Sequence, residues 1–168
     1  MNAYLDSGRI NLVGPTSEVQ LNQKIWVELK TEGLDGNMVA LVTDSCWASN
    51  QSSPHGGLQH ELIINQWEKA PNWLCRGSKN HSSMLTMSSP VYSSRCPNPV
   101  DGTVAVERNG EGTYNFFSFN MFQFSGQDSD VHLHCKLELC PTQNGSCVPV
   151  RWRNQWNPEH SKISAVIK

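Results

Sequence analysis

The residues of this sequence whose types and spacing suit chemistry are six cysteines and two closely spaced histidines. The cysteines stand at positions 46, 75, 96, 135, 140 and 147, so successive cysteines are 29, 21, 39, 5 and 7 positions apart. Zinc sites use close pairs such as C-x-x-C, and none of these spacings has that form. Six cysteines in a chain of this size point instead to disulfides and an oxidising compartment, with buried thiols as the alternative.

His132 and His134 project from one face of a predicted strand and would supply half of a metal site. No third ligand is evident in the sequence, so we expect a solvated strand face instead. Cys135 follows directly, but strand alternation turns its side chain to the opposite face, which argues against a Cys–His nucleophile. Ser45 has no G-x-S-x-G motif around it. We therefore predict no enzyme activity, no catalytic residue, no metal and no cofactor.

The histidines lie in residues 131–140, which we expect to form the central strand of the fold. Apolar and polar residues alternate there, the period-2 pattern of a strand with one face in a core and the other in water. The apolar set is Val131, Leu133, Cys135, Leu137 and Leu139. Asn-Gly turn chemistry between Cys140 and Cys147 then favours a small local disulfide loop.

Short alternating runs elsewhere predict an all-β chain. Further strands are expected at residues 1–5, 24–30, 38–43, 61–64, 103–108 and 114–124. Asp35-Gly36 predicts a hairpin between the second and third of these strands, and Asn109-Gly110 predicts another between the last two. Aromatic residues on both faces of residues 114–124 indicate a central strand, and we expect those aromatics to pack in the core.

Two segments lack periodicity. Residues 65–95 are interpreted as a loop or insertion, and residues 148–168 are predicted to be an irregular tail. The N-x-S/T triplets at Asn50, Asn80 and Asn144 are candidate glycosylation sites.

The overall composition disfavours several classes of partner. A net charge of −2 and a pI near 6.3 give no sign of a nucleic-acid or membrane-surface partner. The sequence shows no signal peptide and no run of 18 apolar residues, so we expect no membrane insertion by this chain. We expect it to be part of a longer protein.

Four motifs, taken in order, resemble one known family. They are Asp44-Ser-Cys46-Trp47-Ala, Cys96-Pro-Asn-Pro, Phe117-Ser-Phe-Asn-Met-Phe-Gln-Phe124 and Val131-His-Leu-His-Cys135-Lys-Leu-Glu-Leu-Cys140. Together they resemble the C-terminal half of a zona pellucida (ZP) module, called ZP-C. The branch that they resemble contains uromodulin, the zymogen granule membrane glycoprotein and the tectorins. The resemblance covers residues 1–64 and 96–147.

This resemblance implies an immunoglobulin-like β-sandwich over residues 1–147, with Cys46 paired to Cys135 and Cys140 paired to Cys147. Family members are secreted or membrane-anchored glycoproteins that polymerise into extracellular filaments and matrices. The implied function is therefore a structural module of such a polymer, with other ZP-module subunits as partners and a secreted, extracellular location. A secreted monomeric adhesion or ligand-binding sandwich is the alternative.

The sequence also departs from the family pattern. The partner that the family places just beyond Cys147 for the cysteine matched by Cys96 is replaced by Val148-Pro-Val-Arg151. Cys75–Cys96 is therefore a candidate bridge, with a free or intermolecular thiol as the alternative. The ZP-N half, a clear basic cleavage site, a hydrophobic propeptide patch and a lipid-anchor signal are not found, so we expect a partial ZP module that forms no filaments by itself.

Overall fold

The computed structural model describes residues 1–14, 17–65, 95–125, 130–143, 146–147 and 161–167. Within these ranges the chain forms ten β-strands and no α-helix. In chain order they are β1 (Asn2–Tyr4), β2 (Lys24–Lys30), β3 (Val39–Ser49), β4 (Gln59–Asn65), β5 (Arg95–Pro97), β6 (Ala105–Arg108), β7 (Tyr114–Asn120), β8 (Val131–Gln143), β9 (Ser146–Cys147) and β10 (Ser161–Ile167).

A four-stranded antiparallel sheet has the order β1-β2-β7-β6. On β2 every second residue is buried, and Ile25, Val27 and Leu29 have no exposed surface. β7 pairs with β2 over its full length and adds Phe117 and Phe119 to the same apolar face. β7 lies between β2 and β6, which confirms the prediction of a central strand from its two aromatic faces.

A six-stranded sheet has the order β10-β8-β3-β4-β5, with β9 paired to the end of β8. β8 is flanked by β10 and β3 over most of its length. Its residues Val131, Leu133, Cys135 and Leu137 are buried, which confirms the buried face predicted from their alternation.

The two sheets contribute to one continuous apolar core. Phe124 and Met121, which follow β7, belong to this core, and Phe122 packs against it. Each fully buried large apolar side chain contributes about 1.5–3 kcal/mol, so burial between the sheets is the main stabilising term. The predicted all-β sandwich with an aromatic core is confirmed.

The connection between β2 and β3 corrects one prediction, because these two strands lie in different sheets and form no hairpin. Asp35 does reverse the chain: its side chain accepts a hydrogen bond from the Asn37 amide at 2.9 Å, and its carbonyl accepts one from Met38 at 3.0 Å. A turn signal indicates a change of direction but not the next pairing partner. The Asn109-Gly110 hairpin is confirmed, since β6 pairs antiparallel with β7.

β10 corrects the prediction of an irregular tail over residues 148–168. Ser161–Ile167 is a strand that pairs antiparallel with β8. The signal was present in the sequence, because Ile163, Ala165 and Ile167 alternate with other residues. They stand in register with the buried residues of β8. Ser161–Ile167 is also an apolar segment after Cys147, in a region where the sequence predicted no hydrophobic patch. Residues 148–160 lie outside the described ranges.

Residues 66–94 connect β4 to β5 and lie outside the described ranges, so a loop or insertion there stays a prediction. The strands at its two ends are neighbours, with Asn65 opposite Arg95 in the ladder. The chain therefore leaves the six-stranded sheet and returns to it at one point.

Candidate functional site

Cys46 on β3 and Cys135 on β8 are joined by a disulfide. They are register partners with Cα atoms 4.2 Å apart, and both are fully buried. A bulge in the β3–β8 ladder between Thr43 and Ser45 precedes Cys46. The pair implied by the family resemblance is thus present between two adjacent strands of one sheet.

Cys96 and Cys140 are also disulfide-bonded, and the described residues contain no free cysteine. The alternative that Cys96 is a free thiol is therefore wrong. β8 and β9 pair beyond Cys140, with Thr142 opposite Cys147. Cys75 lies outside the described ranges, so the pairings Cys140–Cys147 and Cys75–Cys96 stay predictions.

His134 is buried, which corrects the prediction of a solvated histidine face. It lies on the outer face of the six-stranded sheet, as alternation predicted, but only 1% of it is exposed, whereas His132 is half-buried. The imidazole stacks on Trp47, its register partner on β3, with ring centroids 5.6 Å apart. Its Nε2 lies 2.8 Å from Ser49 Oγ. The connection between β3 and β4, residues 50–58, bonds to these same side chains, and we call it the covering loop.

The covering loop is closed at its base and fixed in its middle. Asn50 N donates to Leu58 O at 3.2 Å, and Leu58 N donates to Asn50 Oδ1 at 2.9 Å. Trp47 Nε1 donates to Pro54 O at 3.2 Å. Gly57 permits the closure, because its φ is +72° and a Cβ there would lie 2.1 Å from Asn50 Oδ1.

The direction of the hydrogen bonds at His134 follows from Ser49. Ser49 Oγ donates its only proton to the Gln51 carbonyl at 2.6 Å, so His134 donates from Nε2 to Ser49 Oγ. A serine nucleophile has the opposite polarity, and Ser49 has no exposed surface. Burial lowers the pKa of His134, while the Gln51 carbonyl acts in the opposite direction. The charges of His132 and His55 lower that pKa further. The pair therefore fits a neutral, structural histidine.

Asn50, the first candidate glycosylation site, opens the covering loop and is half-buried. Its Oδ1 holds the Leu58 amide, whereas a glycan attaches through Nδ2, so the two roles use different atoms. Asn80 and Asn144 lie outside the described ranges. Glycosylation at all three positions stays a prediction.

Ser45 and its neighbour Asp44 lie at the bulge of β3. Asp44 is buried and its Oδ2 lies 3.3 Å from Lys136 Nζ, which makes it an ion-pair partner. Ser45 stands opposite Lys136 in the ladder. Over the residues that the structure describes, no group of three or more His, Cys, Asp or Glu is arranged to hold a metal ion.

A buried polar cluster around Asn115 joins the two sheets at the start of β7. Asn115 Nδ2 donates to Thr43 Oγ1 at 2.9 Å and to Asn109 Oδ1 at 3.1 Å. Asn109 in turn bonds the Thr43 backbone, accepting from N at 2.8 Å and donating to O at 3.1 Å. The β6–β7 turn thereby satisfies part of the β3 edge that β4 leaves unpaired. The sequence suggested only a hairpin turn here.

A second polar cluster, around Asp101, joins the sheets at the other end of β7. Asp101 Oδ2 lies 2.5 Å from His60 Nε2 on β4, and Oδ1 accepts from Thr103 N at 2.9 Å and from Thr103 Oγ1. Thr103 Oγ1 accepts from the Asn120 amide at 3.2 Å. Burial alone would raise the pKa of Asp101, but the bonds from Thr103 and His60 together hold that pKa below its usual value.

Comparison with known proteins places these features in a family. The family model of the zona pellucida ZP-C domain matches residues 1–73 and 75–148. The chain belongs to the zona pellucida domain family. The match takes in most of residues 65–95, the segment that the resemblance had treated as an insertion.

Three relatives illustrate this ZP membership. The pancreatic secretory granule membrane major glycoprotein GP2 of dog is 39% identical over 69 residues, 41% of this chain and 14% of that protein. Rat uromodulin is 35% identical over 75 residues, 45% of this chain and 12% of that protein. Chicken alpha-tectorin is 38% identical over 123 residues, 73% of this chain and 4% of that protein. The chain thus matches only a small part of the length of each relative.

As a ZP-C domain, the chain has an immunoglobulin-like fold of two antiparallel sheets with a buried disulfide. The dog relative is by name a membrane glycoprotein of secretory granules. In the part of this chain that the structure describes, no helix is long and apolar enough to span a bilayer.

Proposed function

We propose that this chain is a structural module of an extracellular filament- or matrix-forming ZP glycoprotein. The family match over residues 1–73 and 75–148 carries the proposal. The described residues support a role in packing rather than in catalysis, because the Ser49–His134 pair is buried and has the wrong hydrogen-bond polarity for a nucleophile. Its partners are other ZP-module subunits, which bind surfaces of the sandwich.

The secreted location and the covalent features belong to the same proposal. We expect bridges Cys140–Cys147 and Cys75–Cys96 and glycans at Asn50, Asn80 and Asn144. The bonded state of Cys96 and Cys140 supports the two bridges. Peptide mapping of the non-reduced protein, with and without removal of N-glycans, tests both expectations. A peptide linking Cys96 to Cys140 would contradict the two bridges.

The functional experiment asks whether the domain enters a ZP polymer. The chain, tagged and preceded by a secretion signal, is expressed in mammalian cells that also secrete a filament-forming ZP glycoprotein containing a ZP-N half. We expect the tag to sediment with the filaments, while the chain expressed alone yields none by electron microscopy. The control is an unrelated immunoglobulin-like domain with the same signal and tag.

One outcome would contradict the structural role, and a second would contradict the need for a ZP-N partner. If the tagged chain stays monomeric in the supernatant at the level of the control domain, the secreted monomeric binding sandwich becomes the better description. If the purified chain alone forms regular filaments under reducing conditions, the polymer contacts lie within these residues and ZP-N partners are not needed.

A further inference from the structure

Two contacts that hold the covering loop on the outer face of the six-stranded sheet, from Trp47 and Ser49, meet at His134. The Ser49 hydroxyl lies between the imidazole and the Gln51 carbonyl, with bonds of 2.8 and 2.6 Å. Trp47 stacks on the imidazole and also holds Pro54 of the loop through its indole N–H. One buried ring therefore touches two of the side chains that anchor the loop; a third, Gln59 on β4, donates from Nε2 to Pro54 O at 3.3 Å.

That ring is buried where loss of water disfavours a positive charge, and the Gln51 carbonyl offsets only part of this effect. Neutral histidine satisfies the Ser49 hydroxyl with its Nε2 proton, and a second proton would add a charge to a position that is 1% exposed. Stacking on Trp47 favours a cation, but this gain is smaller than the cost of removing a charge from water. Protonation is therefore compatible mainly with a position of the loop that lets water reach the ring.

The ionisable groups around His134 do not reverse this balance. On β8, His132 and Lys136 lie two positions away on the same face, and the Lys136 ammonium is paired with Asp44 at 3.3 Å. The covering loop contributes His55, and a positive charge on His55 disfavours protonation of His134. From β3 come Trp47 and Ser49, which do not titrate here. The remaining neighbours in the ladder are Glu61 on β4, beyond Trp47, and Ser164 and Lys162 on β10, opposite His134 and Lys136.

We propose that the covering loop is an acid-released lid: protonation of His134 opens residues 50–58 and exposes Trp47 and the outer face of the six-stranded sheet. The Cys46–Cys135 disulfide and the core lie on the opposite face of the same strands, so the sandwich itself stays folded. The lid carries Asn50 at its base, and opening therefore also moves a candidate glycan-bearing segment.

The direction of the pH dependence follows from the pKa of His134 in the closed and open states of the loop. In the closed state the pKa of His134 lies below its usual value of about 6.5, and in the open state it returns towards that value. Closure is therefore favoured above about pH 6.5 and weakens as the pH falls towards the closed-state pKa. Over that interval the opening equilibrium constant rises by up to about tenfold per pH unit.

Hydrogen exchange read by NMR on the intact, disulfide-bonded chain tests the lid. The reporter of the closed loop is the indole N–H of Trp47, which donates to Pro54 in the middle of the loop, and the reference is the amide of Val27 in the other sheet. After correction for intrinsic exchange rates, we expect this loop protection to fall by up to about tenfold per pH unit below about pH 6.5, with Val27 unchanged. In His134→Phe, which keeps a ring beside Trp47 but cannot be protonated, we expect no pH dependence.

Two control variants separate His134 from its neighbours. His132→Gln and His55→Gln are expected to keep the response, moved to slightly higher pH because each removes a positive charge that lowers the pKa of His134. The proposal is overturned if wild-type loop protection does not change between pH 7.5 and 4.5, or if His134→Phe responds like the wild type. Should His134→Phe fail to fold, the wild type alone decides: loss of loop protection that follows titration of the His134 ring below about pH 6.5 supports the lid, whereas a ring that titrates at or above that pH, or loop protection that does not follow the titration, overturns it.

Discussion

Removing the Cys46–Cys135 disulfide should cost this domain a large part of its stability. The two cysteines are 89 positions apart, and cross-linking a loop of that length stabilises the fold by about 4–5 kcal/mol on the chain-entropy model. Single domains are stable by about 5–15 kcal/mol in total. We therefore expect Cys46→Ala/Cys135→Ala to be marginally folded at 25 °C. The double variant is preferred because no unpaired thiol remains to form wrong bridges.

Urea unfolding followed by circular dichroism without reductant measures this loss. The matched variant is Cys140→Ala/Cys147→Ala, which removes the proposed local bridge between cysteines 7 positions apart. The same model gives that short loop about 2–3 kcal/mol, roughly half the effect of the long one. The single variant Cys135→Ser should prevent stable folding, since it also places a hydroxyl in the core. A loss below about 1 kcal/mol for the long-loop pair, or equal losses for the two pairs, would refute the chain-entropy reasoning.

Three further predictions concern polar groups and one glycine. Asn115→Leu should lower the free energy of unfolding by about 2–3 kcal/mol, because the buried Thr43 Oγ1 loses its Asn115 donor, and Asn109 Oδ1 and the Gly110 amide each lose one bond. Asn120→Ala on the outer face of the same strand should change it by less than about 0.5 kcal/mol; equal urea midpoints would contradict an inter-sheet role. Gly57→Ala should raise amide exchange at Leu58 and should destabilise the folded protein by more than Gly102→Ala does. Both glycines have a positive φ (+72° and +69°), but only a Cβ at position 57 would collide with Asn50. A larger loss of stability at position 102 would show that the collision at position 57 is relieved at little energetic cost. Asp101→Asn should remove part of the loss of stability on acidification, because the pKa of Asp101 is lower in the folded state than in the unfolded state. The stabilisation by the ionised Asp101 is fully present above the unfolded-state pKa of about 3.9 and is lost as the pH falls through the folded-state pKa. Thermal melts of wild type and variant from pH 7 to 2.5 measure this, and parallel curves would exclude protonation of Asp101 as a cause of the acid sensitivity.

Alternation predicted which face of each strand is buried, and it did so correctly for β2 and β8. It did not predict what covers the opposite face. His134 lies on the outer face, as expected, and became buried because the connection after β3 folds back over it. Period-2 patterning contains information about a strand's two sides but none about a distant loop.

The errors in strand pairing have a similar origin. Asp35 supplies real turn chemistry, but a turn is compatible with either a hairpin or a passage between sheets. β10 was missed because a short apolar alternation after an aperiodic stretch resembles chance. Asn115 and Asp101 were missed because Asn and Asp near turns are common, and only the structure shows that they bond across the sandwich.

The disulfide and the polar clusters stabilise different parts of this fold. Cys46 and Cys135 lie on neighbouring strands of one sheet, so their bond restricts the unfolded chain but does not hold one sheet against the other. The attachment between sheets comes from the apolar core and from the clusters around Asn115 and Asp101, which act at opposite ends of β7. A disulfide variant should therefore unfold at lower urea with native-like contacts in its folded state. Loss of either cluster should loosen one end of the sandwich while the disulfide remains closed, which raises amide exchange at that end first.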